Sequence, residues 1–188
     1  MDAAQTTTQD HPPAPTLERA RLLDVEGAEV RVETLHAQAP AVLVFVRHFG
    51  CLFCKQQVGE LAARREDFQN RGAKLVVIGN GTVEQARGFA ERYAQGMTVL
   101  TDPTREAFCA AGMKRGVATA VSFGVIKRAV QAVAHGYLQT SVLGDALQQG
   151  GVLVLDRDGR ELYRFVSDEA GQHPPLDDVL AALPAPVR

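Results

Sequence analysis

Two cysteines three residues apart, Cys51 and Cys54, stand in the stretch "VFVRHFGCLFCKQQVGEL" at residues 44–61. A thiol pair at this spacing can cycle between dithiol and disulfide, supply half of a metal site, or sit inert in a core. An apolar run precedes the pair and a run with helical spacing follows it. Cys51 therefore falls where a strand ends and a helix begins. Unpaired N–H groups and the helix dipole favour an anion there, and the thiolate is the reactive form of cysteine. Arg47, His48 and Lys55 are close in sequence and are candidates to add positive charge. Cys54 falls on the same helical face one turn deeper. Two thiols so placed can close a disulfide without rearranging the backbone, which needs a Cα separation of roughly 4.4–6.8 Å. On this reading Cys51 attacks and Cys54 resolves the mixed disulfide. Cys51 is expected to be the more exposed and the more acidic of the thiols.

The other residues with chemical potential are weaker candidates. A structural zinc site needs four ligands, usually with a second Cys or His pair at close spacing. Only Cys109 and five scattered histidines remain, none paired in that way. A CxxC at a strand-to-helix junction in a βαβ context favours redox chemistry over zinc or inert burial, and neither a metal nor an organic cofactor is expected. Cys109, in "REAFCAAGM", reads as a core residue beside Phe108, with a distant resolving cysteine as the alternative. His48 is either a group beside the thiolate or a residue at the strand's exposed end. His173, ahead of two prolines, reads as a turn or packing residue. "GNG" at residues 79–81 invites a nucleotide reading, but Glu84 occupies the third glycine position of GxGxxG, so that signal is weak.

The elements that must position the thiols are legible in outline. "ARLLDVEGAEVRVETL" alternates around Glu26-Gly27 and predicts a hairpin. "APAVLVFVR" and "KLVVIG" predict strands covered on both faces. Residues 51–69 predict one helix, with Val58, Leu61, Ala62 and Phe68 on its apolar stripe and Gly72 closing it. Thr82 and Gln85 form a capping-box pattern opening a helix at 83–93. "MTVLT" predicts a third strand, and residues 104–111 a short helix ended by Gly112. "GGVLVLDRDGRELYRFV" predicts a second hairpin, and residues 174–183 a last helix with Pro174 and Pro175 in its first turn. An alternating βα run followed by a hairpin and a helix predicts a central mixed sheet with helices on both faces. Residues 116–149 are an insertion with helical spacing, expected to be a helix packed on the domain edge, a dimer contact or a lid over the thiols.

Composition limits the rest. A chain of 188 residues suits one domain, here 17–188, and can bury a core without disulfides or metal. Residues 1–16 are polar and Pro-containing and read as a disordered tail. With 20 basic against 22 acidic residues and no basic stripe, no nucleic-acid partner is expected. No apolar stretch long enough to span a membrane occurs, and no secretory leader is visible. A cytoplasmic location is expected, where CxxC pairs are more often redox-active or metal-binding than structural.

With this order of elements and the CxxC, the chain resembles the thioredoxin-fold superfamily. More narrowly, it resembles the peroxiredoxin-like group of the alkyl hydroperoxide reductase/thiol-specific antioxidant (AhpC/TSA) family, near the prostamide/prostaglandin F synthase-like enzymes. The resemblance rests on the CxxC stretch and on "KLVVIGNGTVEQARGFA", "TDPTREAFCAAGMKRG" and "GDALQQGGVLVLDRDGRELYRF". It implies an α/β, thioredoxin-like fold of the peroxiredoxin type and a thiol-dependent antioxidant oxidoreductase. Cys51 matches the nucleophilic position and Cys54 its CxxC partner. The substrate implied is a peroxide or a disulfide, and the reductant an external thiol such as thioredoxin or glutathione, with a homodimer as a further expectation. Peroxiredoxins carry PxxxTxxC; here Val44 and His48 hold the Pro and Thr positions. They also place an arginine before the strand that "GGVLVLD" resembles, where this chain has Gln148, Gln149 and Gly150. The alternative function is a redox sensor or partner-binding module without turnover.

Overall fold

The structure, a computed structural model, describes residues 16–116, 145, 147–169 and 171–185. After a 3-10 turn at Leu17–Arg19, β1 (Arg21–Leu23) and β2 (Glu29–Arg31) pair as a hairpin. The hairpin turns at Gly27, whose φ of 87° is left-handed and suits glycine. The strand pattern predicted to continue past β2 gives way to a short helix, α1 (Val32–His36). Val32, Leu35 and His36 are all buried there, so helical spacing places three side chains inside where alternation would expose some.

The alternating segment follows as β3 (Ala41–Phe45), α2 (Leu52–Ala63), α3 (Arg65–Asn70), β4 (Lys74–Gly79), α4 (Val83–Tyr93), β5 (Thr98–Thr101) and α5 (Glu106–Ala110). The second hairpin, β6 (Gly151–Leu155) and β7 (Glu161–Val166), leads to α6 (Leu176–Ala181). The strands form one mixed sheet in the order β2-β1-β5-β4-β3-β6-β7. Thr82 and Gln85 close the expected capping box at α4.

Two expected helices have different limits. The single helix expected over 51–69 is broken at Arg64, where φ is −108° and ψ is 15°. The Arg64 N–H turns back to the carbonyls of Glu60 and Leu61, closing α2. α3 restarts with Glu66 and Asp67 in its first turn, where acidic residues favour a helix start. α6 begins at Leu176, after both prolines, because a residue before proline is pushed toward extended backbone. The expected tail and insertion lie outside the described residues, apart from Thr16, Gly116, Asp145 and residues 147–149.

Alternation along β3 divides the core. Val42 and Val44 face a cluster with α2, α4 and α6, through Val58, Leu61, Ala86, Phe89 and Val179. Ala41, Leu43 and Phe45 face the opposite cluster with α1 and α5, through Leu35, Ala107 and Phe108. β3, β4 and β5 run parallel, and β6 runs antiparallel to β3, so Phe45, Gly79, Thr101 and Gly151 come to one edge of the sheet. In open α/β sheets, this carboxyl edge of the parallel strands is where ligands bind.

Candidate active site

Cys51 is the N-cap residue of α2, extended with φ −67° and ψ 122°, and Cys54 lies in the helix's first turn. Both are free thiols and both are buried, 3% and 4% exposed. Cys51 is thus not the more exposed thiol expected from its position. Phe49, Leu52 and Phe53 pack in the same cluster and cover the turn. The exposed cysteine is Cys109. It stands on α5 between inward-facing Phe108 and Ala111, and is not the core residue expected from sequence.

The two buried thiols differ in acidity in the expected sense. The Cys51 thiol is lowered to about 7. The Cys54 thiol hydrogen-bonds to it, which outweighs the cost of burial; the N–H groups of Cys54 and Phe53 and the positive charge of Arg47 add to the shift. Cys54 is raised well above the ordinary thiol range, first by burial and then by donating to Cys51. The pair therefore carries one thiolate and one thiol near neutral pH, the arrangement needed for attack by one sulfur and resolution by the other.

Of the three expected cations, the structure brings Arg47 to the thiols. Its Nε donates to the Gln148 carbonyl at 3.1 Å, just before β6. A Cβ at Gly150 would meet the Phe45 carbonyl at 2.6 Å and Arg47 Cγ at 3.4 Å, so the glycine makes room for this crossing. Arg47 thus reaches the segment where the resembling enzymes carry an arginine, but from the β3 side. His48 is buried, not at an exposed strand end, and its pKa is lowered to about 4 by burial and by the charges of Arg47 and Lys55. It is neutral at pH 7 and adds no positive charge there. Lys55 is buried as well, and its ammonium lies 5.3 Å from the centroid of the Tyr93 ring.

Three residues that sequence reasoning missed complete the site. Asn80 and Asp145 join the loop after β4 to the Arg47 peptide, and the Gln148 side chain donates to the carbonyls of Met113 and Lys114. The "GNG" around Asn80 was the available signal. A Cβ at Gly79 would lie 2.4 Å from Phe49 Cζ, so this glycine accommodates the ring that precedes the CxxC. His173 lines a crevice behind Cys54 together with Gln57, Ser167 and Gln172. Among the described residues no three His, Cys, Asp or Glu side chains cluster to hold a metal. No helix among them is long and apolar enough to cross a membrane.

Residues 60–169 match the AhpC/TSA antioxidant enzyme family. The chain belongs to this family. It is 30% identical to thioredoxin-like protein AAED1, chloroplastic, of Arabidopsis thaliana, over 90% of this chain and 72% of that protein. It is 32% identical to peroxiredoxin-like 2C of Homo sapiens, over 85% of this chain and 75% of that one. Prostamide/prostaglandin F synthase of Salmo salar is 30% identical, over 86% and 83%. Among solved structures, peroxidoxin BcpB of Mycobacterium tuberculosis superposes with a TM-score of 0.62 at 21% identity, over 86% of this chain and 89% of that one. The bacterioferritin comigratory protein of Xanthomonas campestris superposes at 0.63 and 16% identity, over 90% and 92%. These structures share the fold, a thioredoxin fold of the peroxiredoxin type. This AhpC/TSA member is an oxidoreductase.

Proposed function

We propose that this AhpC/TSA protein is a dithiol reductase that cycles Cys51 and Cys54 between thiol and disulfide to reduce a peroxide or a disulfide. One observation carries the reading: a buried thiol pair in hydrogen-bond contact at a helix start, with the first sulfur lowered to about 7 and the second raised. With a peroxide, the Cys51 thiolate attacks one oxygen and the O–O bond breaks. The departing oxygen takes a proton and leaves as an alcohol or water. Cys51 becomes a sulfenic acid. The Cys54 thiol attacks that sulfur, water leaves, and a Cys51–Cys54 disulfide forms. Two external thiols then reduce the disulfide and are themselves oxidised. With a disulfide substrate, Cys51 forms a mixed disulfide that Cys54 resolves.

Phe49, Leu52 and Phe53 around the thiols favour an apolar peroxide over hydrogen peroxide. A fast peroxidase needs donors aimed at the oxygen that gains charge. Val44 and His48 stand where PxxxTxxC has Pro and Thr, so the hydroxyl donor of that pattern is not present. The test is a thiol-donor-coupled assay with an alkyl hydroperoxide, hydrogen peroxide and a small disulfide, on wild type and Cys51→Ser. Turnover lost in Cys51→Ser supports the scheme, and turnover retained refutes it. Stopped-flow oxidation by hydrogen peroxide is expected below roughly 10⁶ M⁻¹s⁻¹.

A further inference from the structure

The loop after β4 holds the approach to the CxxC from two sides. Gly79 and Gly81 leave space for the Phe49 ring, two residues before Cys51, where a Cβ at either would come within 2.8 Å of ring carbons. Between them Asn80 is buried, and both ends of its amide are used. Its Nδ2 donates to the Arg47 carbonyl at 2.6 Å, and its Oδ1 accepts the Asp145 N–H at 2.7 Å. The Arg47 carbonyl it grips belongs to the residue whose N–H and guanidinium both act on the thiols. On its other side, Asp145 is an anchored residue. Its carboxylate pairs with Arg105 and Arg115 and accepts the Leu147 N–H. Gly116 donates to the Leu147 carbonyl and Lys114 to the Gln149 side chain, so the chain leaves at 116 and returns at 147 to the same place.

We propose that Asn80 is a positioning residue for the dithiol: its side-chain hydrogen bonds hold the Arg47 carbonyl beside the CxxC turn and brace it against the stem at Asp145. The proposal rests on the reading of Cys51 as the nucleophile and deepens it. The charged and titratable groups acting on Cys51 are Cys54 and Arg47. Arg47, Lys55 and Asp145 act in turn on the neighbouring His48. Releasing the Arg47 carbonyl loosens the residue whose charge favours the Cys51 thiolate, so the thiolate is destabilised.

The test uses the full chain with Cys109→Ser, so that the exposed thiol does not report. Iodoacetamide alkylation of Cys51 is followed against pH at the peptide level, which does not require turnover. Asn80→Ala, and Asn80→Asp, which keeps the acceptor but loses the donor to Arg47, are expected to raise the alkylation midpoint by about one pH unit, a tenfold loss of thiolate below it. Turnover at pH 7 is expected to fall about fivefold, as the thiolate fraction drops from about a half to about a tenth. Thr82→Ala, which weakens the neighbouring helix cap, is the structural control and is expected to lower the melting temperature without moving the midpoint. Folded Asn80 variants whose midpoint stays with wild type, or moves only as far as that of Thr82→Ala, overturn the proposal. In wild type, the Asn80 side-chain amide resonances are expected to shift with the Cys51 titration. Their indifference to it overturns the proposal even where the variants do not fold. If Cys51→Ser retains turnover while the Asn80 midpoint shift is seen, the nucleophile reading fails and the positioning role stands.

Discussion

The junction from β3 into α2 and the junction from β5 into α5 present the same need, and different side chains stand at them. Both strands end at one edge of the sheet and feed a helix whose first N–H groups have no partner within the helix. At the second junction the acceptor is Asp102, fully buried, which takes the N–H of Ala107 at 2.8 Å and of Phe108 at 3.2 Å, and the Thr104 hydroxyl at 2.9 Å. Its carboxylate is committed to internal partners. At the first junction the N-cap is Cys51, whose side chain makes no cap hydrogen bond; its sulfur is left as a thiol lowered to about 7 with a second, raised thiol beside it. A helix start thus becomes a structural cap or a reactive centre according to the anion placed there. An oxygen carboxylate with its lone pairs taken is a cap. A polarisable sulfur with a second thiol in reach is a nucleophile with its resolving partner.

The strongest way to break this comparison is to exchange the roles by mutation. Cys51→Ser is expected to reduce donor-coupled turnover by more than about a thousandfold, since removing a nucleophile removes the covalent route. Asp102→Asn is expected to leave turnover within about twofold, because its carboxylate touches only α5 and the turn before it. Comparable losses in the two variants would show that both helix starts serve the chemistry. The wild-type rate of Cys51 alkylation is expected to rise through a midpoint near 7.

Next in size is a pH effect on stability from His48, which lies inside the first junction. Its folded pKa is about 4 against an ordinary value of 6.5. Between those values the unfolded chain binds a proton that the folded chain does not, so stability rises with pH across the window. It is fully present above pH 6.5 and is lost as pH falls toward 4, by up to about 3 kcal/mol. Urea unfolding at pH 7 and pH 4 measures the difference, and His48→Asn is expected to flatten it. An unchanged slope in that variant would mean that His48 binds its proton equally in the folded and unfolded chain.

The junctions also show what a sequence can and cannot disclose. The capping box of α4 was legible because Thr82 and Gln85 are three residues apart and their bonds are local. The CxxC and the sheet were legible for the same reason: periodicity of 2 and 3.6 is written into neighbouring residues. The burial of Cys51 was not, because it depends on Phe49 seating over glycines 30 and more residues downstream. Nor was the role of Asn80, whose partners are 33 and 65 residues away along the chain. Reading charge from residue type makes His48 a cation, whereas burial leaves it neutral. Cys109 looked like core because its neighbour Phe108 is core; a five-residue helix exposes one side, and which side faces out is set by the sheet beneath it.

A smaller effect sharpens the comparison from the structural side. Asp102→Ala leaves the N–H groups of Ala107 and Phe108 buried without their acceptor, and is expected to cost about 2 kcal/mol of stability. Denaturant melts check it, with the pH dependence of Cys51 alkylation expected to stay at wild-type values.

The smallest effect is expected at Cys109, which shares α5 with the Asp102 cap but none of the chemistry of α2. Its helix packs through Ala107 and Phe108 onto the cluster opposite the one that holds Cys51 and Cys54. A disulfide needs Cα atoms within about 7 Å, and the sheet stands between the two clusters. Exposure makes Cys109 the first thiol to react with a bulky maleimide, so order of labelling reports access here and not catalytic rank. Cys109→Ser replaces a surface sulfur with oxygen of similar size, and is expected to change stability by less than about 0.5 kcal/mol and turnover not at all. Peptide mapping after mild diamide oxidation is expected to recover Cys51–Cys54 with Cys109 free. A dominant Cys51–Cys109 link would replace Cys54 as the resolving thiol.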